Sequence, residues 1–261
     1  MDKIIGEKKH YMATAKEIAE FLNKELKIYD VEDSSCNGLQ IDNQGEITKI
    51  GFAVDACLDS FKKSSKTGCQ MLIAHHGLIW EGLKSIKGNT YNQVKFLIDN
   101  NLSLYASHLP LDKHEKYGNN IQLADLLNLK NIKEFGYHHG SPIGFMGELE
   151  TEMPLTKIKK ILTENQMKDL SLNFGKEIIK SIAIVSGGGG GELTQAINAK
   201  VDLYLTGEPL HYTYHLAKEN KIDVIFGGHY ETETWGVKAL MPLLKEKFKV
   251  DVEFIDIPTK I

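Results

Sequence analysis

The chain has 261 residues, 42% of them hydrophobic and 25% charged, with a formal net charge of -4. This is enough for one large or two small domains with a real core, at an ordinary soluble composition, and the charge offers nothing to draw nucleic acid or anionic lipid non-specifically. No apolar run approaches the roughly 18 residues of a spanning helix, and the charged residues 1–11 lack the apolar centre of a signal peptide, so a cytoplasmic protein with no membrane partner is expected, with Met12 as an alternative start.

In chain order, Thr14 caps the first helix and Glu17, three residues on, completes a capping box. Ile18, Phe21, Leu22 and Leu26 follow on one face at helical spacing. A strand is predicted over 47–54, a short helix over 57–65, and an apolar strand over 70–74 that stops at His75-His76-Gly77. A helix over 91–100 precedes a strand over 102–106, which runs into Ser107-His108-Leu109-Pro110-Leu111-Asp112. Residues 120–129 read as helix, 136–149 as strand or hairpin, and 154–167 as helix. The first pattern then returns. A strand over 179–185 meets the glycine run Gly187–Gly191, which opens a helix over 192–199. A strand over 203–206 ends in Gly207-Glu208-Pro209, a helix covers 211–220, and a strand over 223–226 ends in Gly227-Gly228-His229-Tyr230-Glu231-Thr232-Glu233. An amphipathic helix carrying Val237, Leu240, Leu243 and Leu244 and a strand over 250–255 close the chain.

Placing Tyr91 over Tyr212 brings the strand at 102–106 onto 223–227 without a gap, His108 onto His229, and Asp112 onto Glu233. Polar and apolar residues fall in register together, which reads as duplication of one unit. The expected fold class is therefore α/β, with two duplicated halves (1–130 and 131–261, the boundary falling within 113–180) and mixed or largely parallel sheets. Ligands of such sheets gather at the carboxyl ends of strands. His75, His76, His108, Asp112, His229 and Glu233 all follow directly on apolar strands.

Imidazole and carboxylate suit divalent metals of intermediate softness. A His-x-x-x-acid pair presents both side chains on one side if a helical turn begins at the histidine. Two such pairs and a His-His dipeptide supply more donors than one tetrahedral ion can use, and suit two ions roughly 3.5–4 Å apart. The remaining polar features are weaker. His138-His139 has no acid at ligand spacing and reads as a surface pair. His211 and His215 are four apart on a predicted helix and are weaker candidates for the same cleft. Gly187–Gly191 lies between strand and helix, where backbone N–H groups could hold an anion, but it departs from G-x-G-x-x-G at Glu192 and lacks the G-K-[ST] of a phosphate loop, so a tight turn passing close to the cleft stands at least equal to it. Cys36, Cys57 and Cys69 are odd in number and lack C-x-x-C spacing, which argues for small buried hydrophobes in a reducing compartment.

These segments resemble the NIF-three-like family, many of whose members are labelled GTP cyclohydrolase 1 type 2 homologue. The resemblance lies in His75-His76-Gly77, in Ser107 to Asp112, in Gly228 to Glu233, in Cys36-Asn37-Gly38-Leu39-Gln40, in Val185-Ser186-Gly187-Gly188 and in Thr206-Gly207-Glu208. It implies a dinuclear centre of zinc, iron or manganese. His75 and Asp112 would hold one ion, His76 and His229 the other, Glu233 would bridge them, and His108 would stand by as an acid–base group. It also implies a homo-oligomer, often a toroidal hexamer, and a nucleotide-like small-molecule substrate. Departures are Gly77 where the family often has Pro, Ser34-Ser35-Cys36 where it often has Trp, and His211-Tyr212 where it often has a His pair. Two functions remain open: a metal-dependent hydrolase of a nucleotide, phosphate ester or purine ring, and a non-catalytic factor that binds or delivers metal or binds other proteins.

Overall fold

The computed structural model describes residues 13–82 and 85–259; the alternative start at Met12 and residues 1–11 lie outside the described residues. In chain order the elements are α1 (Ala15–Glu25), β1 (Gly38–Ile41), β2 (Lys49–Asp55), α2 (Leu58–Lys66), β3 (Met71–His76), α3 (Gly88–Asp99), β4 (Ser103–Ala106), α4 (Leu109–Asp112), α5 (Asn119–Leu126), β5 (Leu129–His138), β6 (Ser141–Pro154), α6 (Leu155–Glu164), β7 (Leu170–Leu172), β8 (Ile178–Val185), α7 (Leu193–Ala199), β9 (Leu203–Thr206), α8 (Thr213–Asn220), β10 (Asp223–Phe226), α9 (His229–Phe248) and β11 (Asp251–Phe254). A 3₁₀ turn, Gly189–Glu192, joins the glycine run to α7.

The predicted capping box is present: Glu17 N–H donates to Thr14 Oγ1, and Thr14 N–H donates to Glu17 Oε2. Ile18, Leu22 and Leu26 turn into the core as their spacing required. The first sheet has the order β1-β4-β3-β2-β11, with β4, β3, β2 and β11 parallel and β1 antiparallel at the edge. The second has the order β5-β6-β8-β9-β10-β7. Its β8, β9 and β10 are parallel, and β7 is antiparallel to β10. The topology thus repeats: helix, edge strand, then three parallel strands linked by helices, once over α1–β4 and again over α6–β10. The β5–β6 hairpin, predicted only as strand or hairpin over 136–149, sits between the two units and extends the second sheet.

Sheet membership departs from the expected split into 1–130 and 131–261 at the C-terminus. β11 pairs with β2 of the first sheet, and Val237, Leu240 and Leu244 of α9 share a core with Ile18, Leu22, Ile50 and Phe52. The physical reason is that α9 keeps its apolar stripe on β2 and β3 and so carries the chain back across the molecule. Its first turns, with α5, face the second lobe, where Trp235 packs against a core containing Ile121, Ile184 and Leu205. All three cysteines are free, Cys69 being buried. Among the described residues no helix is long and apolar enough to cross a membrane.

Candidate metal centre

Three segments meet at one cluster. His75 and His76 end β3, and His108 precedes the single turn of α4, which swings Asp112 round to the same side. His229 opens α9, so Glu233, one turn later, lies beside it with Oε1 3.2 Å from His229 Nε2. Both His-x-x-x-acid segments are therefore helical turns, as their spacing required.

Every imidazole is anchored through Nδ1. His75 Nδ1–H donates to the Ser107 carbonyl (2.9 Å), His76 Nδ1–H to Asp55 (2.8 Å) and His108 Nδ1–H to Asp33 (2.9 Å), while His229 Nδ1 pairs with Glu208 (3.0 Å). An outer acceptor on one ring nitrogen fixes the tautomer and leaves the Nε2 lone pair free to serve as a ligand. The Nε2 atoms of His75, His76 and His229 turn toward two buried carboxylates. His75 Nε2 lies 3.5 Å from both Asp112 Oδ2 and Glu233 Oε1, and His76 Nε2 lies 3.2 Å from Glu233 Oε2. Asp112 is held in place by Asn119 Nδ2 (2.8 Å) and Ser186 Oγ (3.0 Å). Donor atoms at these separations are spaced as ligands that each stand about 2 Å from a shared cation.

Among the described residues three donor groups result: His75 with Asp112 and Glu233; His76 with His229 and Glu233; and His75 with His76 and His108. Glu233 belongs to two of them. His75 Nε2 and Glu233 Oε2 are buried without a hydrogen bond, a costly state in a protein interior that a cation would relieve. Electrostatics point the same way. Burial alone would depress the His75 imidazole, but the charges of Asp112 and Glu233 raise it to about 10. Burial likewise opposes protonation of His229, and Glu233 and Glu208 lift it to about 9. Burial works against the Glu233 carboxylate too, yet His75 and His76 hold its pKa well below the usual range. Protons thus supply the positive charge that these carboxylates demand.

The glycine run is explained by crowding. Gly187 has φ +61°, and a Cβ there would collide with Glu233 Oε1, while a Cβ on Gly189 would meet Val185 at 2.6 Å. The run is a tight passage beside the cleft, one of the two readings its sequence left open. Gly77 has no room for a side chain because Gln40 and Ala106 fill the space.

The cluster opens into a cavity of about 420 Å³, also lined by Trp80, His138, Val185 and Glu192. A larger cavity of about 520 Å³, lined by Lys27, His114 and Phe145, holds none of the clustered donors, so size does not locate the chemistry here. His138 lines the working cavity and stands 3.7 Å from Glu192, an acid too distant in sequence for spacing to reveal. His139 is exposed at the hairpin turn, and His211 and His215 are exposed and do not line the cavity. Sequence reasoning missed Asp33, Asp55 and Glu208 as the anchors of three histidines. Asp55 and Glu208 sit at strand ends, a usable signal; Asp33, in a loop, gave none.

The family model described as Duf34/NIF3 (NGG1p interacting factor 3) matches residues 13–260. A GTP cyclohydrolase 1 type 2 homolog of Pyrococcus abyssi (strain GE5 / Orsay) is 46% identical over 245 residues, 93% of this chain and 98% of that protein. The protein of the same name from Archaeoglobus fulgidus is 42% identical over 245 residues, 94% of this chain and 98% of its own. The crystal structure of TTHA1606 from Thermus thermophilus superposes with a TM-score of 0.88 at 34% identity, covering 95% of this chain and 100% of that one.

Proposed function

The chain belongs to the Duf34/NIF3 family, and on that premise we propose that it binds two divalent cations between its lobes and acts as a metal-dependent hydrolase. His75 and Asp112 would hold one ion, His76 and His229 would hold the other, and Glu233 would be shared between them. The observation that carries this reading is the shared position of Glu233 between two donor groups whose histidines are all anchored outward. Zinc, iron and manganese all fit a set of imidazoles and carboxylates. When bound, such a pair supplies Lewis acidity toward a water molecule and an electrophilic oxygen.

The chain's own residues do the rest. Asp33 accepts from His108 Nδ1 and from the Leu109 N–H, and His108 N–H donates to Asn37 Oδ1, so ring and backbone are both fixed. Burial opposes the Asp33 charge, but His108 and Asn37 hold its carboxyl down at about 2, so it keeps its proton-accepting role over the whole working range. His108 Nε2 then exchanges a proton with substrate or water. Trp80, fixed by its Nε1–H to the Gly77 carbonyl (2.9 Å), forms a rigid wall of the cavity. The substrate class is a nucleotide, a phosphate ester or a purine ring. The relatives' name points to GTP ring opening within that class. Self-association into a hexamer, implied by the family, belongs to the same proposal.

Metal analysis of manganese-loaded protein tests it. Wild type is expected to retain two ions per chain and Glu233→Ala neither; retention of both by the variant contradicts the bridge. The other reading, a metal-binding or metal-delivering factor without catalysis, uses the same donors. It gains support if a panel of nucleotides is left unchanged by the loaded protein.

A further inference from the structure

The third donor group is not used by the two-ion arrangement. His75, His76 and His108 each place one ring nitrogen within 4.8 Å of the others'. Their rings pack together, with centroids 4.7, 5.2 and 5.6 Å apart. On all three, Nδ1 is already held by an outer oxygen, leaving Nε2 as the remaining donor. His108 therefore carries the outer carboxylate partner, Asp33, that marks an imidazole prepared for metal, although the pair of ions leaves it unliganded. The His75 Nε2 atom, fully buried and without a hydrogen bond, is common to this group and to the pair.

We propose that His75, His76 and His108 form a separate, all-imidazole position for a single nitrogen-preferring divalent cation, and that filling it excludes the two-ion state. The exclusion follows from electron counting. His75 and His76 each have one free lone pair, and an ion held by both of them with His108 removes one ligand from each of the two other positions. It also consumes the nitrogen on which the proposed proton transfer depends. A position whose three ligands are all imidazoles favours the copper end of the divalent series, whereas the groups in which Asp112 and Glu233 supply ligand oxygens accept harder ions such as Mn²⁺. The site thus has two loading modes, and the metal's chemistry decides between them. This rests on the two-ion reading only for its second consequence, the exclusion of Mn²⁺.

Cu²⁺ and Mn²⁺ are the probes. Metal-free protein given one equivalent of Cu²⁺ is expected to bind it with an electron paramagnetic resonance spectrum split by three nitrogens, and then to take up no Mn²⁺. Glu233→Ala is expected to lose Mn²⁺ and keep this copper signal. His108→Gln is expected to keep Mn²⁺ loading while losing one nitrogen splitting and about tenfold or more in Cu²⁺ affinity; copper held by exposed histidines is the same in both proteins. Unchanged copper affinity and splitting in His108→Gln overturn the proposal. So does full Mn²⁺ loading on top of one bound Cu²⁺ in wild type, which decides the matter even if the variants fold poorly. Failure of wild type to bind Mn²⁺ at all sinks the two-ion reading instead, and leaves the copper result to stand by itself.

Discussion

At the scale of single residues, the centre is a set of imidazoles whose protonation is set by their neighbours. His75 and His229, raised to about 10 and about 9 after the carboxylates overcome burial, both carry protons at pH 7. A ligand nitrogen must be unprotonated, so under the proposed two-ion reading each ion would have to displace a proton. Loading with Zn²⁺ at pH 7 should therefore release about two protons per chain, the release falling toward zero above pH 10, with affinity rising over the same interval. Calorimetry in buffers of different ionisation enthalpy measures this directly, and proton-neutral binding at pH 7 would contradict the assignment. The clustered side chains were legible in sequence, because His75, His76, His108 and His229 stand at or just after apolar strands and Asp112 and Glu233 follow two of them at helical spacing. The anchors were not: Asp33 reaches His108 across 75 positions, and nothing local marks it.

Among the elements, the repeat extends to details below its strand pattern. In the first lobe Gln70, just before β3, accepts from the N–H groups of Thr48 and Lys49 at the start of β2 (3.0 and 2.9 Å). In the second lobe Asp202, just before β9, accepts from Lys180 and Ser181 at the start of β8 (both 3.0 Å), and Lys176 adds an ion pair. The same tie is a neutral amide in one lobe and a carboxylate in the other. Burial works against the Asp202 charge, but Lys176 and the two backbone N–H groups lower its pKa below 3.8. Its stabilisation is thus fully present above that value and is lost as pH falls through the depressed folded value. Asp202→Asn should cost about 1–3 kcal/mol at pH 7, with the gap from wild type narrowing below pH 4. Urea unfolding from pH 7 to pH 3 measures it, and a constant gap would refute the pairing. Helix α1, the parallel strands and the two His-x-x-x-acid turns were readable from periodicity and capping. The edge strands β1 and β7, four and three residues long, were not, since antiparallel pairing with a distant strand leaves too short a pattern to detect.

Across the whole molecule, α9 is the element that binds the lobes together. Val237, Leu240 and Leu244 fill the first core, Trp235 packs on the second, and His229 and Glu233 face the cleft. Ser186 and Gly187, after β8, close on Asp112 and on Thr232 of the same helix. Under the proposed function, ions held by this cluster would tie both sheets at once and so stabilise the molecule as one unit. Mn²⁺ at about 100 times its dissociation constant should add roughly 2.7 kcal/mol to stability and raise a single calorimetric transition by several degrees. Glu233→Ala should show no rise; an equal rise in that variant would place the stabilising ion elsewhere. The sequence by itself determined the α/β class, the repeated unit and the Duf34/NIF3 resemblance, and singled out six candidate side chains at or shortly after strand ends, because local periodicity and strand-terminal chemistry are properties of short segments. Only the tertiary structure decided that β11 returns to the first sheet, which outer oxygens hold the histidines, and that His108 shares a donor group with His75 and His76. Those are contacts between segments tens of residues apart, set by how the two cores pack across α9.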